Sequence, residues 1–367
     1  MLVSLANRRK FISMVVVVML VSANSAADNI IQHDGRGEEI NLGPEKLAVI
    51  VNDADPVSVK VAKYYMYRRR IPKTNVIHVN FRPGRISLPR AEFQQLKNVV
   101  DAITPRGVQA YALAWTIPYR VECMSITTAF ASGFDEGFCS KTCGPTKQNP
   151  YYNSSSHRPY DDFHIRPTMA LAGGTFIEVK KLIDRGVASD HTFPVGTGYL
   201  VSTSDKARNV RAANYPEIIQ QYLGSSLDLR LVRADYITNR NGVLFYFTGI
   251  KYVKALKTIR FVPGAIADHL TSAGGYLASS GDQMSSLRWL EAGVTGSYGA
   301  VVEPCNYPAK FPQPGVVIKH YFQGETLIEA YWKSVAWPGE GIFVGEPLAA
   351  PFSPKSRNNV ARIQKHF

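Results

Sequence analysis

The chain has 367 residues, of which 19% are charged and 45% hydrophobic, and its formal charge is +13 at pH 7. That length suits one large domain or two small ones and is enough to bury a sizeable core. The basic residues fall in short clusters (Arg68-Arg69-Arg70, Lys180-Lys181) with no long tract, which argues against nucleic acid as partner. An anionic envelope component fits better; a solvated basic surface without a specific partner stays open.

The first 27 residues read as a secretory signal peptide. Arg8, Arg9 and Lys10 form a basic start, Phe11 to Val21 is apolar, and Ser25-Ala26-Ala27 offers a small-residue cleavage site. Eleven helical residues rise only about 16 Å, too little to cross a bilayer. No later stretch is long and apolar enough to span one, so after cleavage no transmembrane segment is expected. The protein is read as exported, periplasmic or secreted. Residues 28–44 form a polar leader, 45–352 the folded domain and 353–367 a basic tail.

Leu47 to Asn52 is a short apolar strand. Asp55 caps a helix with Pro56 in its first turn, and the helix stops before Pro72. Asn75 to Val79 is the next strand, roughly Arg90 to Ile103 the next helix, and Val108 to Ile117 a strand apolar on both faces. Residues 123–167 break the pattern as a long loop excursion rich in Gly, Ser, Asn, Pro and Tyr. Thr197 to Thr203 is a strand, Asp205 to Leu223 is largely helical with Pro216 interrupting it, and Val243 to Gly249 is a buried strand. A helix ended by Gly293, a strand within Ser297 to Pro304, an amphipathic helix from Gly324 to Val335 and a strand from Gly341 complete the chain. Alternating strands and helices predict a single α/β domain with a mostly parallel sheet flanked by helices.

In such sheets ligands bind beyond the carboxyl ends of the strands. If the strands run the same way, Asn52, Asp53, Arg120, Glu122, Thr248 and Glu303 line one rim as candidate binding residues. Their competing reading is loop capping and salt bridging. The segment Gly264 to Gly275 holds Asp268, His269 and Ser272, candidate catalytic residues with Glu303 or Asp53 as the orienting carboxylate. The competing reading of His269 is a structural histidine beside a turn. Ser297 in TGSYG lacks the first glycine of a nucleophile elbow and enters a strand instead of leaving one. His157, Asp161, Asp162 and His164 could each ligate a metal, but their spacing fits no signature, and no metal is assigned. No glycine-rich phosphate loop follows a strand, so no cofactor is expected. The four cysteines, Cys123, Cys139, Cys143 and Cys305, suit disulfides in an oxidising compartment. Of the three pairings, Cys139–Cys143 with Cys123–Cys305 is the expectation.

The segments NDADPVSVKVAKYYMYRRRIPKTNVIHV, AWTIPYRVEC, GAIADHLTSAGG, WLEAGVTGSYGAVVEPC and GIFVGEPLAAPF together resemble an uncharacterised family of exported bacterial proteins. The second half also resembles, more distantly, the caspase-like fold of the gingipain peptidases. There VLFYFTGI carries Ile250 where that family has its catalytic histidine, and GAIADHLTSAGG matches the cysteine strand without a cysteine. Gly345 to Leu348 (GEPL) matches the closing turn with Glu346 for aspartate. The resemblance implies a peptidase-like scaffold without its Cys–His dyad. Two functions follow: a non-catalytic binding or scaffolding protein, or an exported hydrolase with a non-thiol mechanism around His269.

Overall fold

The computed structural model describes residues 41–140, 142–278 and 282–354. The signal-like segment, the leader up to residue 40 and the tail from residue 355 lie outside the described residues. In chain order the first elements are β1 (Leu47–Asn52), α1 (Pro56–Arg69), β2 (Val76–Val79), β3 (Ser87–Leu88) and α2 (Arg90–Ile103). Next come β4 (Ala110–Leu113), β5 (Arg120–Val121), β6 (Met124–Ser125), α3 (Ile126–Ser132), α4 (Pro159–Phe163), β7 (Thr168–Ala170) and α5 (Phe176–Ser189). The chain continues with β8 (Thr197–Ser202), α6 (Tyr215–Gln221), β9 (Asp228–Arg233), β10 (Arg240–Gly249) and β11 (Ile259–Leu270). It ends with α7 (Leu287–Ala292), β12 (Gly296–Ala300), α8 (Pro314–Phe322), α9 (Leu327–Ser334) and β13 (Gly341–Gly345).

Local chemistry sets the boundaries. Asp55 Oδ1 accepts the Val57 amide 2.8 Å away to start α1. Thr175 and Glu178 close a reciprocal capping box on α5, and Thr326 and Glu329 do the same on α9. Pro216 begins α6 rather than interrupting it, because the preceding turn is a separate 3-10 helix over Asn209–Asn214. The helix expected to be amphipathic, α9, is buried along its whole length. It packs against β13 and α8, and Asn149 and His157 reach its Trp332 carbonyl and Glu329, so it has no solvent face.

A ten-stranded sheet runs β2-β1-β4-β7-β13-β12-β11-β10-β8-β9. From β2 to β13 the neighbours are parallel, and from β12 to β9 they are parallel again. Between the two halves, β12 pairs with β13 antiparallel, Gly296 opposite Gly345 and Ala300 opposite Gly341. The sheet is therefore mostly parallel and flanked by helices, but its halves point in opposite directions. Both faces are covered. In β1, Leu47, Val49 and Val51 enter one core layer and Ala48 and Ile50 the other.

Residues 123–167 are not an open loop. They contain β6, α3 and α4, and Asn149 donates from its side chain to the Trp332 and Val335 carbonyls. Two disulfides, Cys123–Cys139 and Cys143–Cys305, pin the segment, and no cysteine is free. This corrects the expected pairing of Cys139 with Cys143 and Cys123 with Cys305. The β5–β6 hairpin and α3 return the chain so that Cys139 lies 5.7 Å from Cys123, Cα to Cα. Cys143 is carried on to the turn after β12, 5.4 Å from Cys305 by the same measure.

Buried charge also ties segments together, some distant in sequence and some adjacent. Glu346, after β13, accepts from Tyr65 Oη at 2.6 Å and from the Arg69 guanidinium, both on α1. Lys310 pairs with Glu340 at 2.6 Å and Lys333 with Glu325 at 2.7 Å, all four nearly sealed from solvent.

Candidate functional site

The reversal at β12/β13 decides which candidates can meet. Asn52 and Asp53 leave β1 at one edge of the sheet. Thr248 and Glu303 follow the direction of β10 and β12, so they lie at the opposite edge. The single shared rim expected from the sequence does not form.

At the first edge Asn52 is a stitch between strands. Its amide nitrogen donates to the Phe81 carbonyl at 3.0 Å, and Oδ1 accepts from the Phe81 and Ala54 amides. Glu122 accepts the Arg90 amide at 3.2 Å and so caps α2. Arg120 sits in the small sheet β3-β5-β6 beside Tyr119, which stacks on Tyr276 with centroids 6.0 Å apart. At the other edge Glu303 accepts the Cys305 amide at 2.7 Å. Thr248 is buried and its carbonyl accepts from Arg211 Nη2 at 2.7 Å. Asn52, Glu122 and Glu303 thus take the capping and stitching roles that competed with ligand binding.

The segment Gly264 to Leu270 lies on β11, and alternation along a strand sends consecutive side chains to opposite faces. His269 points into the layer that holds Trp289 and is 1% exposed. Its Nε2 donates to the Met284 carbonyl at 3.0 Å, and its Nδ1 accepts the Trp289 indole N–H at 3.0 Å. Burial dominates and pushes its pKa down to about 3, so the ring is neutral at physiological pH with both nitrogens engaged. Asp268 points to the other face and pairs with Arg211 Nη2 at 2.6 Å, both side chains 1% exposed. Burial raises its carboxyl above the ordinary range, with Arg211 opposing part of that rise. Ser272 lies in the following turn and makes no hydrogen bond to His269. The turn's glycines serve close packing. Gly275 N donates to the Ala300 carbonyl at 2.8 Å, and a Cβ on Gly299 would fall 2.2 Å from the Gly274 backbone. Asp268, His269 and Ser272 are not brought together.

Sequence reasoning missed Arg211. It lies in a 3-10 turn 57 residues before Asp268 and has no periodic apolar context. It also donates to the Pro312 carbonyl at 2.8 Å, joining three segments.

Of the metal-capable residues, Asp161 meets Arg158 and Gln109, Asp162 meets Ser156, and His164 ends α4 with a left-handed backbone. His157 goes elsewhere: its Nδ1 lies 2.8 Å from Glu329 Oε1. His157, Glu325 and Glu329 bring ligand atoms within 4.8 Å of one another, a spacing that could suit an ion. Their oxygens already have donors. Glu325 holds His320 at 2.8 Å and the Lys333 ammonium at 2.7 Å. Glu329 Oε2 takes the Thr326 amide and hydroxyl. An ion would have to displace these donors and sit beside a lysine cation.

One depression stands at a strand end. It has a volume of about 340 Å³ beside α2 and is lined by Asp53, His78, Val79, Asn80, Glu92, Gln95, Leu96 and Val99. Asp53 Oδ1 holds His78 Nδ1 at 2.8 Å, and both side chains are largely in water. This is the position where parallel sheets present ligand sites, and Asp53 is the one rim candidate that lines it. His78 was missed because it sits inside a strand pattern, and only its exposed register position marks it.

No helix among the described residues is long and apolar enough to cross a membrane. No protein-family model matches the chain, and no curated protein does. The solved structure of gingipain R, an Arg-specific cysteine proteinase, is similar over 85% of this chain and 80% of its own, at 11% identity and a TM-score of 0.44. The complex of the pro- and mature domains of RgpB from Porphyromonas gingivalis is similar over 83% and 79%, at 10% identity and a TM-score of 0.37. Likeness at these scores transfers no residue role and no activity to this chain.

Proposed function

We propose that this chain is an exported, non-catalytic binding or scaffolding protein on a mostly parallel α/β sheet. The observation that carries the reading is the state of His269. A general base needs a free nitrogen within reach of a substrate proton and a pKa near the working pH. His269 has two occupied nitrogens, no solvent access and a pKa pushed down to about 3. Asp268 is spent on Arg211 on the opposite face. Export is supported by the basic and apolar start of the sequence and by the pairing of all four cysteines in disulfides.

The test is a hydrolysis screen of the purified chain against ester, amide, glycoside and phosphoester substrates, run beside His269→Gln and His78→Ala. No turnover above the variants is expected. Turnover that either substitution abolishes, in a variant still folded by circular dichroism, would overturn the reading.

A further inference from the structure

We infer that the outer face of α1 and α5 is a docking surface for a lipid bilayer with anionic headgroups. This rests on the binding reading above and supplies its partner. The buried side of α1 is Ser58, Val61, Ala62, Tyr65 and Arg69. Lys60, Lys63 and Tyr67 follow at helical spacing on the other side, Arg70 is the left-handed residue that ends the helix, and all four are exposed. Between Pro56 and Arg70 the sequence has no acidic residue. None of Lys60, Lys63 and Arg70 has an ion-pair partner among the described residues.

The second helix extends this face. α5 packs beside α1, with Tyr64 edge-on to Phe176 at 6.1 Å and Lys180 over the Tyr64 ring at 4.9 Å. Asp184 is consumed locally, by Arg68, Lys180 and the Tyr64 hydroxyl. Lys181 is left exposed and unpaired among the described residues, and Ile177 beside it is 63% exposed. Tyr67, amid the α1 cations, is 79% exposed.

Cations alone would suit any polyanion. A tyrosine and an isoleucine held out in water among them favour a bilayer, where an amphipathic ring sits at headgroup level and an aliphatic side chain enters the acyl boundary. Each cation near an anionic surface contributes roughly fivefold to partitioning, and the effect is screened by salt. The same face would gain little from a soluble polyanion beyond its charge.

The experiment is co-sedimentation of the full chain with vesicles of phosphatidylglycerol and phosphatidylcholine, or of phosphatidylcholine alone. The account predicts pelleting only with the anionic vesicles and release at 1 M NaCl. Lys60→Gln/Lys63→Gln/Arg70→Gln should weaken binding roughly a hundredfold with an unchanged circular dichroism spectrum. Tyr67→Ser/Ile177→Ser should weaken it while leaving the salt dependence intact. Equal binding by the triple variant, equal pelleting with neutral vesicles, or capture by soluble polyphosphate without vesicle binding would each overturn the inference. The non-catalytic reading would survive those results, since it falls only to hydrolysis in the substrate screen.

Discussion

Replacing Asp268 with Asn separates a structural from a catalytic role for the residue beside His269. Arg211 has three acceptors, the Pro312 carbonyl at 2.8 Å, the Thr248 carbonyl at 2.7 Å and Asp268 at 2.6 Å, and only the last is anionic. Asp268→Asn keeps the shape and leaves a guanidinium sealed without a counter-charge. Breaking such a buried pair from one side costs about 3–5 kcal/mol. For a chain of this size that lowers the melting temperature by roughly 10 °C. The pair is not itself a large source of stability. Burial raises the folded carboxyl pKa against the pull of Arg211, so the stability linked to a protonated Asp268 is full below the unfolded value near 4 and is lost as pH rises through the folded value, where the buried carboxylate must be ionised and leans on Arg211. Removing both charges with Arg211→Met/Asp268→Leu should therefore cost less than Asp268→Asn alone, leaving mainly two carbonyls short of a donor. Urea denaturation followed by tryptophan fluorescence at pH 7 reads all three proteins. Asp268→Asn within 0.5 kcal/mol of the parent, or a double variant less stable than the single, would refute the reasoning.

Non-reducing peptide mapping should recover Cys123–Cys139 and Cys143–Cys305 and no other pairs. Removing the second bridge should destabilise more than removing the first, about 5 against 3 kcal/mol in the chain-entropy picture, because the sequence separations are 162 and 16. The His269 pKa is depressed in the fold, so its contribution to stability is complete above the unfolded value near 6.5 and is lost as pH falls toward about 3. Within that window the parent should lose about 1.4 kcal/mol per pH unit relative to His269→Gln, and parallel stability curves for the two would count against a buried neutral ring.

The opening βαβ units were legible because each boundary has a local cause. Asp55 and Pro56 start α1, Pro89 precedes α2, and the apolar run of β1 fits a strand covered on both faces. β11 was not among the strands read along the chain, only matched to one by resemblance, and Pro263-Gly264 sits inside it. The strand tolerates the pair where its register with β10 is irregular and Gly264 takes φ 87°. α5 went unread although Thr175 and Glu178 mark its start. The reversal between β13 and β12 has no local signature. Five-residue strands of small and apolar side chains can pair either way, and their neighbours are chosen by the whole sheet. The site suffered for the same reason. Nothing near His269 in sequence announces the Met284 carbonyl or Trp289, 15 and 20 residues away, as the groups that occupy its nitrogens. Asp53 follows β1, while its partner His78 comes from the adjacent parallel strand, where the register sets it opposite Val51.

Imidazole nitrogen NMR of the full chain, with the His269 resonances assigned by their loss in His269→Gln, addresses the protonation state of that ring without any substrate. A neutral ring protonated on Nε2, with shifts unchanged from pH 7.5 to pH 4.5, is the predicted result. A titration centred near pH 6.5, or a proton on Nδ1, would mean that the ring reaches solvent and that His269 is open to chemistry after all.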